Sequence, residues 1–105
     1  MSVAGDGFVA VLVIDLHFPD AGSLKAKRKE LSSIKAQLQT RMHVAVSETD
    51  HHDLWQRATL TAALTGGTVR QLETAADEVE RWVVFRCPDG ARVERLVASV
   101  EDLRG

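Results

Sequence analysis

A chain of 105 residues with 45% hydrophobic and 27% charged side chains is long enough to enclose one core and too short for two ordinary domains. Its 13 basic and 15 acidic residues leave a formal net charge of −2, so no global positive field draws it to nucleic acid, and any such role must come from a local patch. The single cysteine, Cys87, excludes an internal disulfide and a zinc cluster built on several thiolates; with no long apolar run and no secretion signal, the composition points to the cytoplasm and away from a membrane.

Residues 1–7 are small, polar and glycine-bearing and read as a flexible N-terminal extension, so that 8–103 form a single domain. From Phe8 to Phe18 apolar residues fill one face of a strand (Phe8, Ala10, Leu12, Ile14, Leu16, Phe18) and half of the other (Val9, Val11, Val13, then Asp15 and His17). Pro19, Asp20 and Gly22 break it, and Ser23 caps a helix reaching about Met42, with Leu24, Leu31, Ile34 and Leu38 as its buried stripe. A second strand is predicted from His43 to Thr49 and a third from Trp55 to Thr65, joined by the polar corner Asp50 to Leu54. After Gly66 and Gly67, Thr68 and Gln71 make a capping pair for a second helix ending near Arg86. The turn Cys87-Pro88-Asp89-Gly90 leads to a last strand over about Val93 to Val100, irregular near Glu94 and Arg95 where the alternation is unclear.

Strand, helix, strand, strand, helix, strand is the order of the ferredoxin-like βαββαβ fold, an α+β architecture with a four-stranded antiparallel sheet and two helices on one face. Its first and third strands are central. Strands one and two run parallel in this topology, so both end at the same edge, here termed the top, where the first helix also begins. Asp15, His17, the segment from Ser23 to Arg28, the corner from Glu48 to Arg57 and the turn at Cys87 should therefore converge. Loops at one end of a rigid sheet are where function is usually placed.

Two stretches at that end exceed what folding requires: Ser23-Leu24-Lys25-Ala26-Lys27-Arg28, and Glu48 to Ala58 with its run Trp55-Gln56-Arg57 after an acidic, histidine-bearing corner. Together they resemble the YlxP-like family of small bacterial proteins, domain of unknown function 503, over nearly the whole chain from Phe8 onward. That resemblance implies a ferredoxin-like fold and no established activity. Genes of the family often neighbour those for translation-initiation and ribosome-maturation factors, an association and not a mechanism. The N-terminal extension and Thr61-Ala62, where a glycine is expected, depart from the family pattern.

The first helix carries six of the 13 basic residues (Lys25, Lys27, Arg28, Lys29, Lys35, Arg41) against one acid, Glu30. Cations in a first turn oppose the helix dipole and forgo a few tenths of a kcal/mol each. At about 100° per residue Lys27 falls inside the apolar arc and aims at the sheet, while Lys25 and Lys29 point away and Arg28 flanks. Two readings stay open: Lys27 snorkels past the rim or pairs with Glu48 or Asp50, or the cations await a phosphate. Trp55 reads as a lid over the core or as an exposed stacking surface, and Arg57 as a partner of Glu48 or Asp15 or as a free cation.

Other chemistries are less well served. Glu48, Asp50, His51, His52 and Asp53 are metal-ligating types, but adjacent histidines diverge on an extended chain and no helical His pair exists. Cys87 precedes proline with no histidine placed beside it, and there is no glycine-rich phosphate loop, so no catalytic residue, metal or cofactor is expected. The open sheet face offers Val9, Val11, Val13, Thr59, Thr61 and Ala63 in place of the aromatics of RNA-binding sheets, which suits a flat contact with a second copy. The expectation is a non-enzymatic module that contacts RNA or a ribosomal particle through Lys25, Lys27, Arg28, Lys29, Glu48, Asp50, His51, Trp55, Gln56 and Arg57. The alternatives are a homodimer formed through the open face and, third, a metal-assisted hydrolase at the histidine corner.

Overall fold

The structure, a computed structural model, describes residues 7–105; the expected flexible extension lies, Gly7 apart, outside the described residues. The elements run β1 (Phe8–His17), α1 (Leu24–Arg41), β2 (Ala45–Asp50), β3 (Arg57–Gly66), α2 (Val69–Arg86), β4 (Ala91–Ser99) and a short α3 (Val100–Leu103). The strand order is β2-β3-β1-β4. β1 lies between β3 and β4 and is antiparallel to both, and β2 is antiparallel to β3. β1 and β2 are thereby parallel and finish together at the top, as the ferredoxin-like order requires.

Period-two burial makes β1 the keel of the core: Ala10, Leu12, Ile14 and Leu16 are all buried, and Ala58, Leu60, Ala62 and Leu64 of β3 lie beside them on the same face. Both helices cover that face. The Ser23 hydroxyl accepts from the Ala26 N–H at 3.0 Å and starts α1, whose inner stripe is Lys27, Leu31, Ile34 and Leu38. Thr68 caps α2 by accepting from the Gln71 N–H at 3.1 Å, and Leu72, Ala76, Val79 and Val83 face the sheet. Each such aliphatic side chain contributes about 1.5–3 kcal/mol when fully withdrawn from water.

Three boundaries differ from the sequence pattern, each for a local reason. His43 takes a left-handed φ of 55° and the Val44 N–H returns to the Leu38 carbonyl, so residues expected in β2 close α1 instead. Residues 51–56 fold into a turn, with the Leu54 N–H on the His51 carbonyl, which delays β3 to Arg57. β4 begins at Ala91 and keeps an unbroken register with β1. Glu94 and Arg95 blur its alternation because Arg95, opposite Leu12, lies on the helix side and reaches Asp77 at 2.9 Å and Glu80 at 2.7 Å on α2. α3 was not foreseen, although Ser99 and Asp102 form a reciprocal capping box.

Glycine is structurally required at Gly90, where φ is +153° and an added Cβ would stand 2.9 Å from the His17 Cβ. Gly22 has open space and no such backbone angle. Urea denaturation should find Gly90→Ala less stable by about 1–3 kcal/mol and Gly22→Ala within about 0.5 kcal/mol of the parent chain.

Candidate functional site

The top of the sheet is tied together by main-chain hydrogen bonds between distant segments. His17 N–H donates to the Gly90 carbonyl at 3.0 Å and Phe18 N–H to the Gln56 carbonyl at 2.9 Å. The Gln56 side-chain amide donates to the Pro19 carbonyl at 3.1 Å. The end of β1, the turn after α2 and the segment before β3 are thus held together, and a buried side chain from the first turns of α1 ties in the corner between β2 and β3.

That side chain is Lys27. Helical periodicity aims it inward, and the structure buries it completely. Its ammonium donates to the carbonyls of His51 at 2.8 Å, His52 at 3.2 Å and Arg57 at 3.1 Å. An ammonium has three N–H donors and no acceptor, so the three carbonyls use its capacity in full. Glu48 Oε2 stands 3.8 Å away and is buried with no hydrogen-bond partner; it balances the charge without a hydrogen bond. Lys27 neither snorkels into solvent nor waits for a phosphate: it anchors the corner.

The corner is shaped to receive it. A bulge in β2 at Glu48 and Asp50 precedes His51, held at a left-handed φ of 60° while its N–H donates to Asp50 Oδ1 at 2.7 Å. The imidazole turns to the open face, where Nδ1 meets the hydroxyl of buried Thr59 at 2.9 Å. That hydroxyl donates to Asp15 Oδ1 at 2.7 Å. Since Thr59 spends its one proton on a carboxylate, His51 Nδ1 must be the donor in its own bond, which fixes the tautomer when the ring is neutral. His52 reaches instead toward Glu48 Oε1, at 3.9 Å. The two imidazoles diverge, and among the described residues no three side chains of metal-ligating type come together.

The remaining candidates face water. Lys25, Arg28, Lys29 and Arg57 are exposed, and among the described residues none has a carboxylate within ion-pairing distance. Arg57 pairs with neither Glu48 nor Asp15. Trp55 is 54% exposed and Leu54 47%, which corrects the reading of Trp55 as a lid. Of the ten residues singled out from sequence, Lys27, Glu48, Asp50, His51 and Gln56 hold the corner, whereas Lys25, Arg28, Lys29, Trp55 and Arg57 stand outward from it. Arg92 was overlooked; it lies on the open face opposite Asp15, a placement that follows from the register of β4 and not from spacing along the chain.

Beside this corner, a cleft of about 580 Å³ between the start of α1 and the end of α2 is lined by Phe18, Lys29, Glu30, Arg86 and Cys87 among others. Arg86 bridges to Glu30 at 3.0 Å across its wall. Burial pushes the Cys87 thiol up, with Glu30 and Asp89 adding to the shift and Arg86 opposing it. A thiol raised in this way is protonated at neutral pH and is a poor nucleophile.

The family described as "Protein of unknown function (DUF503)" matches residues 9–102. Uncharacterized protein YlxP of Bacillus subtilis strain 168 is 33% identical over 82 residues, which are 78% of this chain and 85% of the relative. Among solved structures, the de novo designed protein Foldit4 aligns with 88% of this chain and 96% of its own at a TM-score of 0.53 and 12% identity. At that identity the likeness is one of fold alone. Replacing Lys27 by Met should destabilise the chain by about 3–5 kcal/mol in urea denaturation, because Glu48 is left buried and unpaired; adding Glu48→Leu should recover part of the loss, and simple additivity of the two changes would refute the pairing.

Proposed function

Because the chain belongs to the YlxP-like DUF503 family, whose description carries no activity, its role must be argued from its own surface, and we propose that it is a non-enzymatic module that binds RNA or a ribosome-associated assembly. Lys25, Arg28, Lys29 and Arg57 meet phosphates, and Trp55 stacks on a base. The observation that carries this reading is the division of labour at the top. One cation, Lys27, is neutralised and buried, while four neighbours at the same end are exposed and have no ion-pair partner among the described residues, although the chain as a whole is acidic.

A cation next to a helix N-terminus opposes the dipole and is slightly unfavourable there. An anionic ligand reverses that sign, since phosphates are drawn both to the cations and to the positive helix end. A half-exposed tryptophan beside them supplies the sequence-tolerant part of single-strand binding, worth about 1–3 kcal/mol per stacked base. The proposal places the protein in the cytoplasm, where a lone cysteine stays reduced.

In fluorescence anisotropy with a single-stranded oligoribonucleotide, affinity should fall with salt at a slope of about −0.7 per phosphate contacted. Reversing Lys25, Arg28 and Lys29 to Glu should abolish binding, and Trp55→Ala should weaken it about five- to hundredfold. Binding that survives the triple reversal, or that ignores salt, would overturn the reading.

A second reading has its own observation. Both helices lie on one face, and on the other Val9, Val11 and Val13 are only half-buried while Leu96 is 52% exposed. Four strands about 4.8 Å apart with about 3.3 Å per residue present roughly 500–600 Å² per copy, near the lower end of stable interfaces. A homodimer through this face should sediment as such at about 50 µM and dissociate with Leu96→Glu; a monomer at that concentration would exclude it.

A further inference from the structure

On the open face, the top of the sheet holds a second cleft of about 400 Å³, lined by Asp15, His17, Arg57, Gly90, Ala91 and Arg92 with Leu16. It lies apart from the basic start of α1. Register places its two arginines on opposite flanks of the central strand: Arg57 of β3 faces His17, and Arg92 of β4 faces Asp15. Directly opposed residues share a face, so all four side chains stand on the same side of the sheet. Two strand spacings and one two-residue offset separate the arginines by about 12 Å at Cα, within the joint reach of two such long side chains.

Three features make this more than two surface charges. The cleft owes its space to small residues, since Gly90 and Ala91 form its wall and any Cβ at Gly90 would stand 2.9 Å from that of His17. Neither guanidinium has an acidic partner among the described residues. The third concerns Asp15, the cross-strand neighbour best placed to neutralise Arg92. It accepts the Thr59 hydroxyl at 2.7 Å, and Thr59 is held in turn by His51. The hydrogen-bonded chain turns Asp15 Oδ1 toward β3, and although the carboxylate keeps its charge it forms no ion pair with Arg92.

We infer that this cleft is a phosphate subsite, in which Arg57 and Arg92 grip one phosphate group from either side of β1 and His17 lies between them. Planar guanidinium forks suit phosphate oxygens and can each bind in bidentate fashion. The subsite extends the reading above, since a strand bound at Lys25, Arg28 and Lys29 would pass the corner at Trp55 and deliver a later phosphate to the open face. The phosphate belongs either to such an RNA strand or to a free phosphate ion.

NMR of the arginine side-chain N–H groups, with hexauridylate in one arm and inorganic phosphate in the other, tests the inference. Arg57 and Arg92 resonances should shift together in at least one arm, and Arg92→Gln should remove the shift at Arg57 and lower hexauridylate affinity about five- to tenfold. Shifts with both probes assign the subsite to the RNA strand; shifts with phosphate alone retain it as a free-anion site and count against the RNA reading. If hexauridylate binds and is lost on reversing Lys25, Arg28 and Lys29, yet Arg92→Gln binds like the parent chain, the subsite is overturned while the RNA reading stands. No shift at either arginine with either probe overturns it outright. Arg92 is exposed on an edge strand, so the variant keeps the fold, and Arg70→Gln serves as a charge-matched control.

Discussion

A buried ammonium with three protons and no water must give each proton to an acceptor, and around Lys27 those acceptors are three backbone carbonyls from the corner that joins β2 to β3. Much of the top of the molecule depends on that requirement. It ties the first turns of α1 to the carbonyls of His51, His52 and Arg57, and it sets Glu48 beside the ammonium as a counter-charge. Withdrawing an ammonium from water costs several kcal/mol; three charge-assisted hydrogen bonds, at about 1.5–3 kcal/mol each, offset it. The balance is close, so this contact specifies one arrangement of the corner more than it adds net stability.

The cations of this chain fall into two sets with different physics. Lys27, Arg86 and Arg95 join elements that are distant in sequence, α1 to the corner, α2 to α1 and β4 to α2. Lys25, Arg28, Lys29, Arg57 and Arg92 join nothing among the described residues. Composition cannot separate these sets, because both contribute equally to a net charge of −2. Only the fold shows that five of the nine basic residues without an ion pair among the described residues stand at one end, while three of the paired ones tie the layers together.

Much of the architecture could be read from periodicity. The alternation through β1, the stripes of α1 and α2 and the inward aim of Lys27 all follow from 2.0 and 3.6 residues per repeat, which the chain obeys wherever it is packed. What periodicity could not supply was the identity of partners. That Lys27 meets carbonyls depends on the left-handed His51, and that Arg95 points inward depends on acids one helix away. Trp55 faces outward because the turn at 51–54 ends before it and leaves it outside the ladder. The candidate site was therefore legible as a place, from the parallel run of β1 and β2, and illegible as a division into anchoring and free residues.

The position of β1 has a further consequence for how the chain is made. It is the first element in sequence and the central strand of the sheet, and its register pairs Phe8 with Gly66 on one side and Ser99 on the other. Both neighbours follow β1 in sequence, so neither exists when β1 is synthesised, and β4 is the last strand to arrive. Until then a strand apolar on one face and half of the other has no sheet to enter, and closure of such distant pairs is slow. The sheet therefore cannot close until β4 has been made, and until then an apolar central strand stands uncovered.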